Sequence, residues 1–116
     1  MIIEIAKDVD MSSDYDSGWY ELEIPQNSVF GKKLKAESLQ IIWESTSGTF
    51  NGTIDIYATN DINSNAIGKT IAVNKASNLS DAEMFILYPS FEYLKIFYKH
   101  NGITGGILNA VISFKA

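Results

Sequence analysis

The sequence predicts an all-β fold, a single antiparallel β-sandwich of about eight strands with a jelly-roll-like arrangement. Apolar and polar residues alternate along much of the chain, which is the pattern of strands with one buried face. The alternating segments are rich in β-branched and aromatic residues, which suit a pleated surface better than a helix. Gly and Asn residues separate these segments at intervals of roughly ten residues, which is typical of sandwiches and barrels.

Five segments alternate strongly enough to predict a strand and to assign its buried face. They are residues 18–24, 38–43, 52–58, 92–98 and 107–114. The side chains predicted to point inward are Tyr20, Leu22 and Ile24; Leu39, Ile41 and Trp43; Ile54, Ile56 and Ala58; Leu94, Ile96 and Tyr98; and Leu108, Ala110, Ile112 and Phe114.

Three weaker segments complete the predicted set of strands, at residues 2–6, 69–73 and 84–88. Residues 76–84 offer a possible helix start of one or two turns, because Ser80 could cap it and Glu83 follows three residues later. The Asn-Gly pair in "HNGI" (100–103) predicts a tight turn that joins the last two strands as a hairpin, with His100 facing solvent.

The composition predicts one domain over residues 1–116 and excludes several classes of function. A net charge of −5 argues against a binder of nucleic acid, which needs clustered Lys and Arg. The absence of Cys excludes disulfides and thiolate metal sites, and no apolar run is long enough for a membrane span.

No motif indicates an enzyme, and we expect no cofactor and no catalytic residue. His100 is the single histidine, so a zinc site lacks further His or Cys ligands, and no Gly-x-Ser-x-Gly turn is present. "NGITGG" leads into an alternating strand rather than the helix that a phosphate loop needs.

The early acidic cluster is the one candidate for a cation. "DYDSG" is similar to the opening of a calcium loop, but the ordered series of ligands ending in a bidentate Glu is absent. We therefore predict no metal site and leave open whether this loop holds a cation. The cluster comprises Asp8, Asp10, Asp14 and Asp16.

The outward-facing positions are more apolar than a solvated sheet favours, which predicts an interaction face. Its residues are Trp19, Ile42, Tyr57, Phe97 and Val111, with Ile107 beside them. A carbohydrate-binding module is the alternative use of such aromatics, since a ring can stack on a pyranose. Trp19, Tyr57 and Asn60 are the candidates for that site.

Three stretches in order resemble the layout of small structural proteins of tailed bacteriophages: 10–24 from "DMSSDYDSGWY", 38–61 from "SLQIIWESTSG" and 91–115 from "FEYLKIFYKHNGITGG". Nearly the whole chain takes part, although each motif alone is weak. The sequence departs from the layout between residues 62 and 83, where Asn65 and Ala66 replace a common Trp. The matching positions, which the resemblance implies to be fold determinants, are Gln40, Trp43, Gly48, Gly52, Asn60, Asp61, Tyr93, Tyr98, Thr104 and Gly105.

This resemblance implies a non-enzymatic virion protein, with a capsid auxiliary or decoration protein as the first expectation. A head-fibre or tail component is the alternative within that class, and a module that binds a host glycan is the alternative from another class. The implied partners are capsid, fibre or tail subunits, with many copies on a symmetric particle or a homo-oligomer. The implied location is the virion, assembled in the host cytoplasm. The richness in Ile, Asn and Lys suits an AT-rich genome such as that of a crAss-like phage of Bacteroidetes.

Overall fold

The computed structural model describes residues 1–25, 33–46, 52–63, 69–72, 80–86 and 91–115, and these residues form strands and turns without a helix. The predicted all-β fold is therefore confirmed. The strands are β1 (Ile2–Asp10), β2 (Tyr15–Asp16), β3 (Tyr20–Glu21), β4 (Glu23–Pro25), β5 (Lys33–Ser45), β6 (Thr53–Thr59), β7 (Lys69–Ala72), β8 (Ser80–Ile86), β9 (Tyr93–Lys99) and β10 (Gly106–Lys115).

The strands pair into two antiparallel sheets. Sheet 1 has the order β1-β10-β5, and the far side of β5 pairs with β4 at its beginning and with β8 further along. Sheet 2 has the order β7-β6-β9, and the far side of β9 pairs with the short strands β2 and β3. Two antiparallel sheets are the arrangement expected of a sandwich.

One hydrophobic core lies between the two sheets, and strands of both contribute to it. The inward faces predicted from alternation are confirmed: Leu39 on β5, Ile56 on β6, Ile96 on β9 and Ile112 on β10 are fully buried, as are their inward neighbours two residues away. Tyr20 and Ile24 are partly buried against the same cluster. Because side chains alternate along a strand, burial of one set leaves a second set on the outside of each sheet.

The chain passes repeatedly from one sheet to the other. β5 leads into β6, β7 into β8, β8 into β9 and β9 into β10, and each of these steps joins different sheets. This alternation is compatible with a jelly roll, which has eight strands in two Greek keys; the jelly roll itself stays a prediction. The turn at His100–Ile103 therefore joins two sheets. The predicted hairpin is wrong, because β9 and β10 do not pair with each other.

The predicted strand at residues 18–24 is divided between the two sheets at Leu22. The Leu22 N–H donates to the Glu92 carbonyl beside sheet 2, at 2.8 Å, and the Leu22 carbonyl accepts from Ala36 N–H of sheet 1, also at 2.8 Å. Leu22 itself is buried. Alternation alone cannot reveal this change of sheet, because the side chains keep pointing into the same core.

The three weaker strands are present as β1, β7 and β8, while residues 73, 87 and 88 of the predicted segments lie outside the described residues. The possible helix start at Ser80 is wrong, since Ser80 and Glu83 lie in β8. β8 pairs with β5 from Ser38 to Glu44. These ladder hydrogen bonds outweigh a local capping pattern, which is only a weak preference.

Candidate protein interaction surfaces

The residues of the predicted interaction face lie on opposite sides of the sandwich. Ile42 and Val111 point outward from sheet 1, whereas Tyr57 and Phe97 point outward from sheet 2, where Lys95 contacts the Trp19 ring. The core separates the two groups, so they cannot form one contact surface. We call these two outer surfaces the sheet 1 face and the sheet 2 face.

The sheet 1 face carries a cluster of exposed aliphatic side chains around Ile42. In the strand register Ile42 is opposite Ala82 on one side and Asn109 on the other, and Val111 is its diagonal neighbour. Diagonal neighbours on one face of a sheet are within reach of long side chains. Ile107 and Met84 occupy two further diagonal positions, which makes the cluster continuous across β10, β5 and β8.

Exposed hydrophobic side chains are concentrated on this face. Six large ones are exposed among the described residues, and four of them lie on the sheet 1 face. Those four are Ile2 at 66%, Met84 at 61%, Ile107 at 49% and Ile42 at 45% exposure. Single exposed hydrophobic residues are normal, but a contiguous exposed group is typical of an interaction site.

The two ends of the sheet 1 face differ in charge. At one end Asp10 and Glu44 flank Ile107 in the register. At the other end three lysines lie near two glutamates, and the Nζ to Oε distances are 3.6 to 4.0 Å. The face is thus acidic at one end, apolar in the middle and has more lysines than carboxylates at the other end. The residues of the lysine-rich end are Lys33, Lys35, Lys115, Glu23 and Glu37.

The sheet 2 face has aromatic side chains that are covered by a cation. Lys95 lies opposite Tyr57 in the register, and its Nζ is 5.1 Å from the centroid of the Trp19 ring and 5.9 Å from that of Tyr57. The same ammonium donates to Asp16 Oδ2 at 3.1 Å. The Lys95 ammonium thus makes cation–π contacts with both rings and an ionic contact with the carboxylate.

A tight local turn explains why Trp19 reaches this cluster. The Gly18 N–H donates to Asp16 Oδ1 at 2.8 Å, and Gly18 has a φ of 73°, which glycine adopts without strain. Ser17 meanwhile bonds to Ile96 on β9 through both its backbone N–H and its hydroxyl. Both β2 and β3 pair with β9, and this turn separates them along that strand. Trp19 lies in the gap between the two short strands.

Loops from both sheets meet at one end of the sandwich, near His100. Asn101 and Gly102 both have positive φ, and Ile103 N–H donates to the His100 carbonyl at 3.0 Å, which confirms the predicted tight turn. His100, however, does more than face solvent. Its Nδ1 lies 2.6 Å from Asp14 Oδ1, which also accepts from the His100 backbone N–H at 3.0 Å. These hydrogen bonds hold the pKa of Asp14 below its ordinary value.

The other acidic residues of the early cluster serve local turns rather than a common centre. Asp10 Oδ1 accepts from Ser12 N–H at 2.9 Å, and this bond lowers the pKa of Asp10. Asp16 is engaged by Gly18 and Lys95, and Asp8 has a φ of 49° at an irregularity of β1. Within the described part of the chain, no three His, Cys, Asp or Glu residues come together as metal ligands.

Two tyrosine hydroxyls connect the sheets beneath this end. Tyr15 of β2 donates to the Ile5 carbonyl of β1 at 2.7 Å, and the buried Tyr98 of β9 donates to the Met11 carbonyl at 2.8 Å. Burial, with Asp14 and Asp10 nearby, raises the pKa of Tyr98 to about 12. Neutral hydroxyls that donate to carbonyls are a structural arrangement: one joins β2 to β1 of the opposite sheet, and the other joins β9 to the turn that follows β1.

The residues that carry the phage resemblance have mainly structural positions. Trp43, Tyr98 and Gly52 are buried, and Gln40 lies half-buried on the sheet 1 face. The Asn60 side chain accepts from Glu92 N–H at 3.1 Å, so this candidate for sugar contact already joins the end of β6 to the beginning of β9. Gly48, Asn65 and Ala66 lie outside the described residues.

Sequence reasoning missed two members of these surfaces, Met84 and Lys95. Met84 was hidden in the continuous apolar run "MFILY", which has no alternation to assign a face. Lys95 does alternate with Leu94 and Ile96, so its outward position was predictable, but its contact with Trp19 depends on the turn before β3.

No protein-family model, curated protein or solved structure matches this chain. Among the residues that the structure describes, no helix is long and apolar enough to cross a membrane.

Proposed function

We propose that this protein is a non-enzymatic structural component of a tailed-phage virion, a capsid auxiliary or decoration protein, and that it packs its sheet 1 face against protein subunits of the particle. The observation that carries the binding role is the cluster of exposed aliphatic side chains on that face, with Ile42 at its centre. The virion location rests on the resemblance of the sequence to small phage structural proteins.

The chemistry of the sheet 1 face favours a protein surface as its partner. Aliphatic side chains gain free energy when they leave water, at roughly 25 cal/mol per Å² of apolar area, and they offer no directional groups to a sugar or a phosphate. Acidic groups at one end and lysines at the other add orientation to this contact. Many copies on a symmetric lattice can act together, so modest affinity per copy is sufficient.

Membership of the particle is the first test. Mass spectrometry of purified virions, from the phage whose genome encodes this chain, should detect the protein at many copies per particle. Its presence at the head supports decoration, and its presence only in isolated tails or fibres supports the alternative. Absence from the virion refutes the proposal.

Cosedimentation with capsids that lack the protein is the second test. We expect saturable binding that Ile107→Lys weakens by about tenfold or more, because a charge replaces an apolar contact. Ile62→Lys is the matched control, since Ile62 is an exposed hydrophobic residue outside sheet 1. Equal binding of both variants would contradict the role of the sheet 1 face.

Glycan binding is the alternative from another class, and its candidate residues lie on the sheet 2 face. Lys95 already occupies a face of both the Trp19 and Tyr57 rings, which favours the protein-binding proposal over sugar stacking. A glycan array with saturable hits that Trp19→Ala abolishes would establish the alternative.

A further inference from the structure

We propose that the sheet 1 face is the interface of a symmetric dimer, in which it packs against the same face of a second copy of this chain. The inference rests on the proposed function and deepens it: the particle subunit that covers the sheet 1 face is a second copy of this chain, so copies on the particle associate through this face. Three features carry it: the size of the face, the distribution of its charges and the residues at its middle.

The face is large enough for a stable dimer. β10 has ten residues, so it is about 33 Å long, and the four strands β1, β10, β5 and β8 span about 19 Å. The product is roughly 600 Å² before side-chain relief is counted, close to the ~800 Å² that each partner buries in a standard interface. Within this area Ile42 and Val111 lie on the two central strands β5 and β10, and Met84 extends the exposed cluster onto the outer strand β8.

The charges select one way of joining two copies. If the strands of both copies ran in the same direction, Asp10 and Glu44 would meet the same carboxylates of the second copy. A two-fold axis in the interface and perpendicular to the strands reverses one copy. Glu44 of each copy then approaches Lys35 of the other, because both residues point outward from β5 near its opposite ends.

The middle of the face suits such an axis. Gln40 lies about halfway between Lys35 and Glu44 along β5, and its register neighbours are Val111 on β10 and Met84 on β8. The axis would therefore place each of these three side chains against its own copy. Two Gln side chains are self-complementary, since each amide offers a donor and an acceptor, and Val111 and Met84 supply apolar contact around them.

The row of residues along the proposed axis ends at Glu4 of β1, which is opposite Val111 in the register. Lys7 Nζ lies 3.9 Å from Glu4 Oε2, and both side chains are more than half exposed. This pair therefore lies at the rim of the interface, where water, salt and the neighbouring lysines screen the two glutamates from each other.

The mass of the full chain in solution tests the dimer directly. Sedimentation equilibrium at about 10 to 100 μM should give twice the chain mass of 12.9 kDa. Met84→Lys should raise the dissociation constant by about tenfold or more, because two lysines would meet at the axis. Ile62→Lys should leave it unchanged. A monomeric wild-type protein, or a Met84→Lys variant that dimerises like the wild type, would overturn the inference.

A charge exchange tests the orientation. Lys35→Glu and Glu44→Lys should each weaken self-association, since each variant places like charges opposite each other twice. An equal mixture of the two variants should recover the dimer. In the mixed pair one chain carries carboxylates at both positions and the other carries ammonium groups at both, so both contacts are attractive. Failure of the mixture to associate, with both variants folded by circular dichroism, would refute the proposed axis.

The outcomes separate the dimer from the proposed function. A protein that binds capsids but stays monomeric retains the virion role and disproves the dimer. A protein that dimerises through Met84 but is absent from virions retains the dimer and disproves the virion role.

Discussion

The two outer faces of this sandwich both carry large apolar side chains, but the contacts of these side chains differ between the two faces. On the sheet 2 face, Trp19 and Tyr57 are engaged by Lys95, which also bonds to Asp16. On the sheet 1 face, Ile42, Ile107 and Met84 are exposed, and Ile42 is the diagonal neighbour of the other two in the register. An aromatic ring can be satisfied within the chain by a cation, whereas an aliphatic side chain needs another apolar surface. We infer that the sheet 1 face depends on a neighbour and the sheet 2 face does not.

The largest expected effect is the difference in stability between substitutions on the buried and the outer side of β5. Trp43 is buried beneath the sheet 1 face, and Ile42 beside it points outward. Trp43→Ala should lower the free energy of unfolding by about 3 to 5 kcal/mol, because it removes a large core side chain. Ile42→Ala should cost less than about 1 kcal/mol in the monomer. Chemical denaturation at low protein concentration measures both, and a similar loss for the two variants would show that Ile42 is part of the fold rather than of a contact.

The next effect concerns the close approach of β10 to β5 that keeps the sheet 1 face continuous. A Cβ added to Gly106, which has a φ of 134°, would clash with the Glu44 carbonyl oxygen and lie 2.8 Å from Ser45 Cα. Gly106→Ala should therefore destabilise the fold by about 2 to 4 kcal/mol. Gly102→Ala is the matched control: Gly102 has a φ of 88° but nothing within 4 Å, so we expect about 1 kcal/mol. Thermal unfolding of both variants measures their loss of stability. Equal losses would mean that the positive φ, and not the clash with β5, accounts for the destabilisation.

A substitution with a smaller effect on stability should leave the aromatic rings of the sheet 2 face without their cation, so that this face resembles the sheet 1 face. Lys95→Met keeps an apolar stem but removes the cation from Trp19, Tyr57 and Asp16, and should cost about 1 kcal/mol. It should also change the tryptophan fluorescence and increase binding of a hydrophobic dye. Lys99→Met, at an exposed position further along the same face of β9, is the control and should change neither. If both variants behave alike, the cation does not protect the rings.

The smallest effect lies at the end of the sandwich and should leave both faces unchanged. The lowered pKa of Asp14 means that the folded state favours its carboxylate. Its contribution to stability is present above the ordinary carboxyl range and is lost as the pH falls through the lowered pKa. Denaturant titrations from about pH 6 to about pH 2 should show a smaller acid loss in Asp14→Asn than in the wild type. An identical acid dependence would contradict a role for the His100 contacts.

Sequence alone was sufficient for most of the strands and for the buried face of the five strongest alternating segments, but it missed β2 and the division of residues 18–24 into β3 and β4. Alternation reports which side of a strand is buried, and Leu39, Ile56, Ile96 and Ile112 all lie in the core as predicted. The same period says nothing about which sheet a strand joins, so Ile42 and Tyr57 were assigned to one surface although a core lies between them. It also misses loop residues such as Met11, which is buried because it closes the end of the sandwich.

Turns and irregular segments were the other limit of prediction. "NG" identified the turn at Asn101 and Gly102, because positive φ favours those residues. The bond from His100 to Asp14 joins residues far apart in sequence, and no local pattern indicates it. The change of sheet at Leu22 is likewise set by Glu92 and Ala36, which belong to distant segments.

The central position of β10 has a consequence for how the chain reaches its folded state. β10 lies between β1 and β5, with Ile2 opposite Ser113 at one edge and Trp43 opposite Leu108 at the other. Sheet 1 therefore cannot close until β10 has left the ribosome, and until then β1 and β5 each have a row of backbone groups without their final partner. Such long-range pairing slows folding, and exposed strand edges favour aggregation. A nascent chain arrested before residue 106 should accordingly need a chaperone to stay soluble, whereas the finished chain should not.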